Sequence, residues 1–128
     1  MSHINFTGEL DHKNKSVKVS LNMYLFKEGD SYIVYCPALD LSAYGNSEEH
    51  AKKSFEDVFE ITIRYMLNKN TVKDDLIKHG WKIKSLKQKK INAPSFEQMM
   101  KTNESFAEIL KNKEYKTYKE SLGIPEFV

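Results

Sequence analysis

The side chains in this 128-residue chain that could move protons or hold metal are eighteen carboxylates and four histidines. A two-metal nuclease centre needs several carboxylates converging on divalent cations, which stabilise the attacking and leaving oxygens. The candidates are Asp40, Glu56, Asp57, Asp74 and Asp75. Their placement argues against that use. Glu56, Asp57 and Glu60 fit the wet side of a helical pattern, and the first strand pattern offers Lys18, Ser20 and Asn22 where an acid would be needed. His3, His12, His50 and His79 contain no pair at the i, i+4 spacing of a helical metal site, and no Ser-His-Asp order stands out. His50 suits the exposed start of a helix and His79 the position before a Gly stop. The lone cysteine, Cys36, can form neither an internal disulfide nor a zinc site and reads as a small hydrophobe at a strand end. Five scattered glycines make no phosphate loop. The expectation is a protein that is not an enzyme, with no catalytic residue, metal or cofactor.

Binding chemistry is better represented. Lys84, Lys87, Lys89 and Lys90, together with Lys82, could contact phosphates in a strongly salt-dependent way. The alternative is that Lys82 and Lys84 form the wet face of an edge strand, which also discourages aggregation. Charge is unevenly divided. Residues 1–81 hold 10 Lys+Arg against 12 Asp+Glu, a net of −2, and residues 82–128 hold 10 Lys against 6 Glu, a net of +4.

The elements that must position these groups follow from hydropathy. Hydrophobic residues make up 40% and charged residues 30%, enough for one folded domain with a real core. No run of about 18 apolar residues exists to span a membrane. The N-terminus lacks a basic-then-apolar leader pattern, and the single cysteine is compatible with a reducing compartment, so a cytoplasmic protein is expected. Residues 17–25 alternate strictly, with every odd position apolar, which predicts a half-buried strand. Lys27–Ser31 supplies a turn, and the continuously apolar Tyr32–Cys36 predicts a central partner strand ended by Pro37. Leu39–Tyr44 alternates again.

Gly45-Asn46-Ser47 then opens a helix over 47–69, capped by Asn46 or Ser47, with Glu48 and Glu49 at its positive end. Its apolar set (Ala51, Phe55, Val58, Phe59, Thr62, Met66) is widened by Ile61, Ile63, Tyr65 and Leu67, so its far end calls for a second covering surface. That cover is either the C-terminal segment or a second subunit. A short helix over 71–79 and a fourth strand over 81–85 complete the order β-β-β-α-(α)-β. Beyond Leu86 the basic stretch 87–90 and Asn92-Ala93-Pro94 mark a boundary. Helical turns are predicted over 95–100 and 103–112, followed by an aromatic-rich tail. Tyr24, Phe26 and Tyr44 fall on the even-numbered sheet face. They form either an exposed patch for a protein partner or dimer, or a surface covered by residues 1–12 or the C-terminal segment.

Two separated stretches carry a family resemblance. Tyr32-Ile33-Val34-Tyr35-Cys36-Pro37 through Gly45-Asn46-Ser47-Glu48-Glu49-His50-Ala51 resembles the HicB-like antitoxin pattern of an apolar strand ending in Pro, a short strand, Gly, a polar pair and Glu-Glu-x-Ala. Leu76-Ile77-Lys78-His79-Gly80-Trp81 is similar to the family's Leu-x-x-x-Gly-Trp ending. The resemblance spans roughly residues 17–86 and implies an α/β (α+β) class, a partial RNase H-like β-β-β-α-β domain over 1–86. A basic, mostly helical C-terminal extension over 87–128 matches neither DNA-binding segment common in the family. The resemblance also implies a type II antitoxin that binds and neutralises a small HicA-type RNA-cleaving toxin, with operator DNA as a further partner. The alternatives are an orphan interaction module of the same fold, or an autorepressor acting through the C-terminal segment. A homo-oligomer, dimer or larger, is expected. The surface residues assigned to a partner or dimer interface are Tyr24, Phe26, Tyr44, Ile61 and Tyr65.

Overall fold

The computed structural model describes residues 16–85 and 90–125. The fold is α+β. Strands β1 (Ser16–Glu28), β2 (Ser31–Cys36) and β3 (Leu41–Gly45) form an antiparallel meander, with a two-residue turn between β1 and β2. Helix α1 (Glu48–Lys69) follows, then a short helix α2 (Val72–Lys78) and strand β4 (Lys82–Ser85). Strand β5 (Lys90–Asn92), helices α3 (Phe96–Thr102) and α4 (Glu104–Asn112), and strand β6 (Tyr115–Pro125) complete the described chain.

The fourth strand of the main sheet is not the one the hydropathy pattern singled out. Sheet order is β3-β2-β1-β6, whereas β4 pairs only with β5 in a separate two-stranded ladder. The physical reason lies in length. β6 pairs antiparallel with β1 from Ser16↔Pro125 to Phe26↔Tyr115, satisfying the backbone along nearly all of β1. A four-residue strand with two exposed lysines could not replace that ladder. Beyond residue 86 the described chain therefore comprises β5, two helices and a strand of the main sheet, and the main sheet draws strands from both sides of residue 86.

Each face of the sheet has its own cover. On one face Val17, Leu21, Met23, Leu25, Val34, Cys36, Ala43, Leu122 and Ile124 pack with Ala51, Phe55, Phe59 and Ile63 of α1 and with Trp81. Side-chain contacts run along α1 and β6 in step. Lys116 Nζ meets Glu48 Oε2 at 2.9 Å, and the Lys52 ammonium lies 4.5 Å from the Tyr118 ring centroid. Four residues of helix rise about 6 Å and two of strand about 6.8 Å, so one helical turn matches one same-face step of the strand. On the opposite face Tyr24, Phe26, Ile33 and Tyr35 are covered by Phe106 of α4, with Met99, Met100, Ile109 and Leu110 around it. The Phe106 ring meets Tyr24 edge-on at 4.9 Å and Phe96 at 5.6 Å.

The helix start is set by local chemistry. Ser47 Oγ accepts from the backbone N–H of His50 at 3.1 Å, and the His50 Nδ1 accepts from the backbone N–H of Asn46 at 3.0 Å. Gly45 lies against this first turn: a Cβ there would overlap the backbone of Ala51 and lie 2.7 Å from the His50 carbonyl carbon. Gly45→Ala is expected to destabilise the fold by about 1–3 kcal/mol through this overpacking, with the urea midpoint lowered and the denaturant slope unchanged.

Candidate protein-interaction site

The two stretches that carry the resemblance meet in space. The buried Trp81 indole Nε1 donates to the Ala38 carbonyl at 2.7 Å, joining residues 43 apart in sequence. Ala38 lies in the turn between β2 and β3, closed by Leu39 N–H to the Cys36 carbonyl and Asp40 N–H to the Pro37 carbonyl, both at 3.3 Å. Asp40 ends this turn with φ +52°, the left-handed conformation that Asp and Asn tolerate better than most residues.

A cleft of about 360 Å³ opens beside the Trp81–Ala38 junction. Pro37 and Asp40 form one wall, Ile77, Lys78, His79 and Gly80 a second, and Gln98, Met99, Thr102 and Asn103 a third. Its polar groups are held in place from behind. Asn103 Nδ2 donates to the Tyr35 hydroxyl at 2.7 Å, and that hydroxyl donates to Asp40 Oδ1 at 2.7 Å. Burial and the Asp40 carboxylate together hold the Tyr35 phenol well above its usual pKa, against the opposing effect of the Asn103 bond. His79 Nδ1 lies 2.8 Å from the Asp75 carbonyl. A carbonyl only accepts, so Nδ1 is the donor in this contact, and in the neutral imidazole Nε2 is then an acceptor. The cleft thus offers a carboxylate and an imidazole acceptor beside the apolar surfaces of Pro37, Ile77 and Met99. Such a lining suits a donor-rich side chain with an aliphatic stem. Lys78 is exposed at the rim.

The residues singled out from sequence fall into three groups. Tyr24 and Phe26 are buried beneath α4, so their face of the sheet is occupied by the chain's own C-terminal segment. They do not offer a free surface, because the two short helices carry Phe106 onto it. Tyr44 is 66% exposed on that same sheet face, at the outer strand. Ile61 and Tyr65 are 66% and 61% exposed on α1, across the sheet from Tyr44, so no single patch unites the three. Lys84 and Lys90 are exposed on the β4–β5 ladder, while Lys87 and Lys89 lie outside the described residues. Of the carboxylates considered for metal, Asp40 lies in the turn, Glu56 and Asp57 on α1, and Asp74 and Asp75 on α2. Among the described residues no group of three or more His, Cys, Asp and Glu is placed to hold a metal ion. His3 and His12 lie outside the described residues.

Sequence patterning missed the cleft, since three of its wall residues (Gln98, Thr102 and Asn103) come from a segment with no strong periodicity. Asn103 had a legible signal, its position before a helical stretch, and it does cap α4 by accepting from Phe106 N–H at 3.0 Å. Its second bond, to Tyr35, depends on the fold.

No protein-family model matches the chain, and neither the curated proteins nor the solved structures give a match. Among the described residues no helix is long and apolar enough to cross a membrane.

Burial has a measurable consequence for pH. The Cys36 thiol, fully enclosed at the end of β2, is pushed up to about 12 by desolvation, and burial also raises the phenols of Tyr24, Tyr35 and Tyr118. In each case the folded state holds a proton that the unfolded chain releases earlier. Their contribution is fully present below the unfolded pKa, near 9 for the thiol, and is lost as pH climbs toward the folded one. Stability measured by urea titration is expected to fall steadily above pH 9. Cys36 should resist thiol reagents at pH 8 in native buffer and react at once in denaturant. Rapid native-state labelling would contradict the burial.

Proposed function

We propose that the chain is a HicB-like antitoxin, a non-catalytic cytoplasmic protein that binds a small, basic, RNA-cleaving HicA-type toxin and blocks its access to RNA. The observation that carries this reading is the composition of the cleft. Two of its three walls come from the two stretches that resemble the family, Pro37 and Asp40 from the first and Ile77 to Gly80 from the second. The buried residues of those stretches, including Ala38, Ala51, Leu76 and Trp81, account for the scaffold. Asp40 and His79 are the hydrogen-bonding groups that the same stretches bring to the cleft beside the exposed Lys78.

In this reading a basic side chain of the toxin enters the cleft, lays its stem on Met99 and Pro37, and donates to the Asp40 carboxylate. An arginine suits this role because its planar head carries five donors and retains its charge when partly desolvated. The Tyr35 hydroxyl fixes Asp40 before binding, which reduces the ordering cost of the contact.

The test is co-expression with the product of the adjacent small reading frame, followed by affinity capture and a growth assay of that product alone. A small basic partner, toxic by itself and held by this chain, is the expected result. Asp40→Asn keeps a residue that tolerates the positive φ and removes the charge. It should weaken capture by about tenfold or more, the cost of taking one partner from a close charge pair. A neighbour that neither binds nor arrests growth leaves the orphan interaction module as the better description.

A further inference from the structure

The main sheet has two outer strands, β3 and β6, and they are protected unequally. Among the described residues no strand pairs with the outer side of either. β6 carries Lys116, Lys119 and Glu120 along its length, with Gly123 and Pro125 near its end. Charged side chains and proline are the usual means by which an edge discourages further pairing. β3 reads Leu41-Ser42-Ala43-Tyr44-Gly45 and contains neither a charge nor a proline. Tyr44 is 66% exposed, beside the exposed Ser42 on the same face. The surroundings of β3 are charged in one sense. Residues 37–51 contain Asp40, Glu48 and Glu49 and no Lys or Arg. Glu48 is engaged by Lys116 at 2.9 Å. Asp40, just before the strand, accepts from the neutral Tyr35 hydroxyl, and Glu49, just beyond it, is exposed. Among the described residues neither of these two carboxylates has a cationic partner.

We infer that the free edge of β3 takes a fifth strand from a different polypeptide, an extended segment with basic residues at its ends and an apolar or β-branched residue opposite Tyr44. In an antiparallel pair, alternate residues turn their N–H and C=O groups away from the partner strand, so β3 presents such groups outward for an added strand to meet. Five residues supply few backbone bonds, and Asp40 and Glu49 supplement them with charge at the two ends. Tyr44 gives the added strand an aromatic cross-strand neighbour. A second copy of this chain is the wrong occupant. Pairing two β3 strands antiparallel about a two-fold axis sets the Asp40 end of each beside the Glu49 end of the other, acid against acid at both ends. A nucleic acid is repelled by the same carboxylates. The edge rests on the cleft reading only in that one basic partner would serve both sites.

The test is amide hydrogen exchange, read by NMR on the full chain, with a capped synthetic peptide of about seven residues that alternates threonine and valine between terminal arginines. With peptide at about ten times its dissociation constant, the outward-facing amides of residues 41–45 (the alternate set that exchanges rapidly in the free chain) should slow by about tenfold. The same peptide N-methylated along its pairing edge keeps its charge and side chains but loses its backbone donors, and should bind about tenfold more weakly. Glutamates in place of the terminal arginines should weaken binding by about tenfold or more. Tyr44→Lys gives β3 the kind of protection that β6 has and should abolish the slowing, with circular dichroism confirming an intact fold. A peptide that slows no β3 amide overturns the inference, as does equal binding by the N-methylated or the glutamate peptide. Outward amides already slow in the chain alone also overturn it, assigning the edge to a second copy if the slowing grows with concentration and to the chain itself if it does not. A toxic neighbour captured through Asp40 without slowing at β3 upholds the cleft reading and overturns this one. Slowing by the arginine peptide with no toxic neighbour does the reverse.

Discussion

The antiparallel ladder between β1 and β6 is the constraint on which the remainder of the molecule depends. It turns β1 from an edge into the centre of the sheet, pairing it on both sides. A three-stranded meander would leave one side of a long, apolar strand open along its length, an edge prone to pairing with other chains. β6 closes that edge and adds Leu122 and Ile124 to the core beneath α1. Because β6 comes last, the helices that precede it are held between β5 and the sheet. α3 and α4 thereby gain an anchorage that segments of seven and nine residues would lack as isolated helices in water.

That anchorage decides the fate of the second sheet face. Tyr24, Phe26, Ile33 and Tyr35 could have formed an exposed aromatic patch. Phe106 instead fills the space above them, and Asn103 ties the start of α4 to Tyr35. The same tether carries through to Asp40, so packing on the sheet and the shape of the cleft are one system. Trp81 is the corresponding tie on the other side, its indole holding the turn that contains Ala38. Between them, the two aromatic residues fix the backbone on which the accessible polar groups of the cleft are mounted.

The molecule therefore separates its surfaces by role. The interior side of α1 stabilises the sheet, its exterior side carries Ile61 and Tyr65 in solvent, and the cleft lies among other elements altogether.

The sequence by itself determined the elements whose signal is local. Strict alternation over 17–25 specified β1, the apolar run 32–36 specified β2, and Ser47 with the spacing Ala51, Phe55, Phe59 specified α1. In each, the period of the hydrophobic residues matches the period of the backbone, so neighbours along the chain carry the information. The enclosure of Cys36 within a continuous apolar run was legible in the same way. What only the tertiary structure decided was pairing. The alternation at 81–85 correctly marked a strand but could not say which strand it would meet. The tail 115–125 concealed its strand behind Glu120, Gly123 and Pro125, and was recruited because β1 offered a long, unsatisfied edge. Likewise no local pattern could bring Asp40, His79 and Asn103 to one cleft. Their proximity follows from backbone hydrogen bonds and packing between segments tens of residues apart, energies that a single stretch of sequence does not contain.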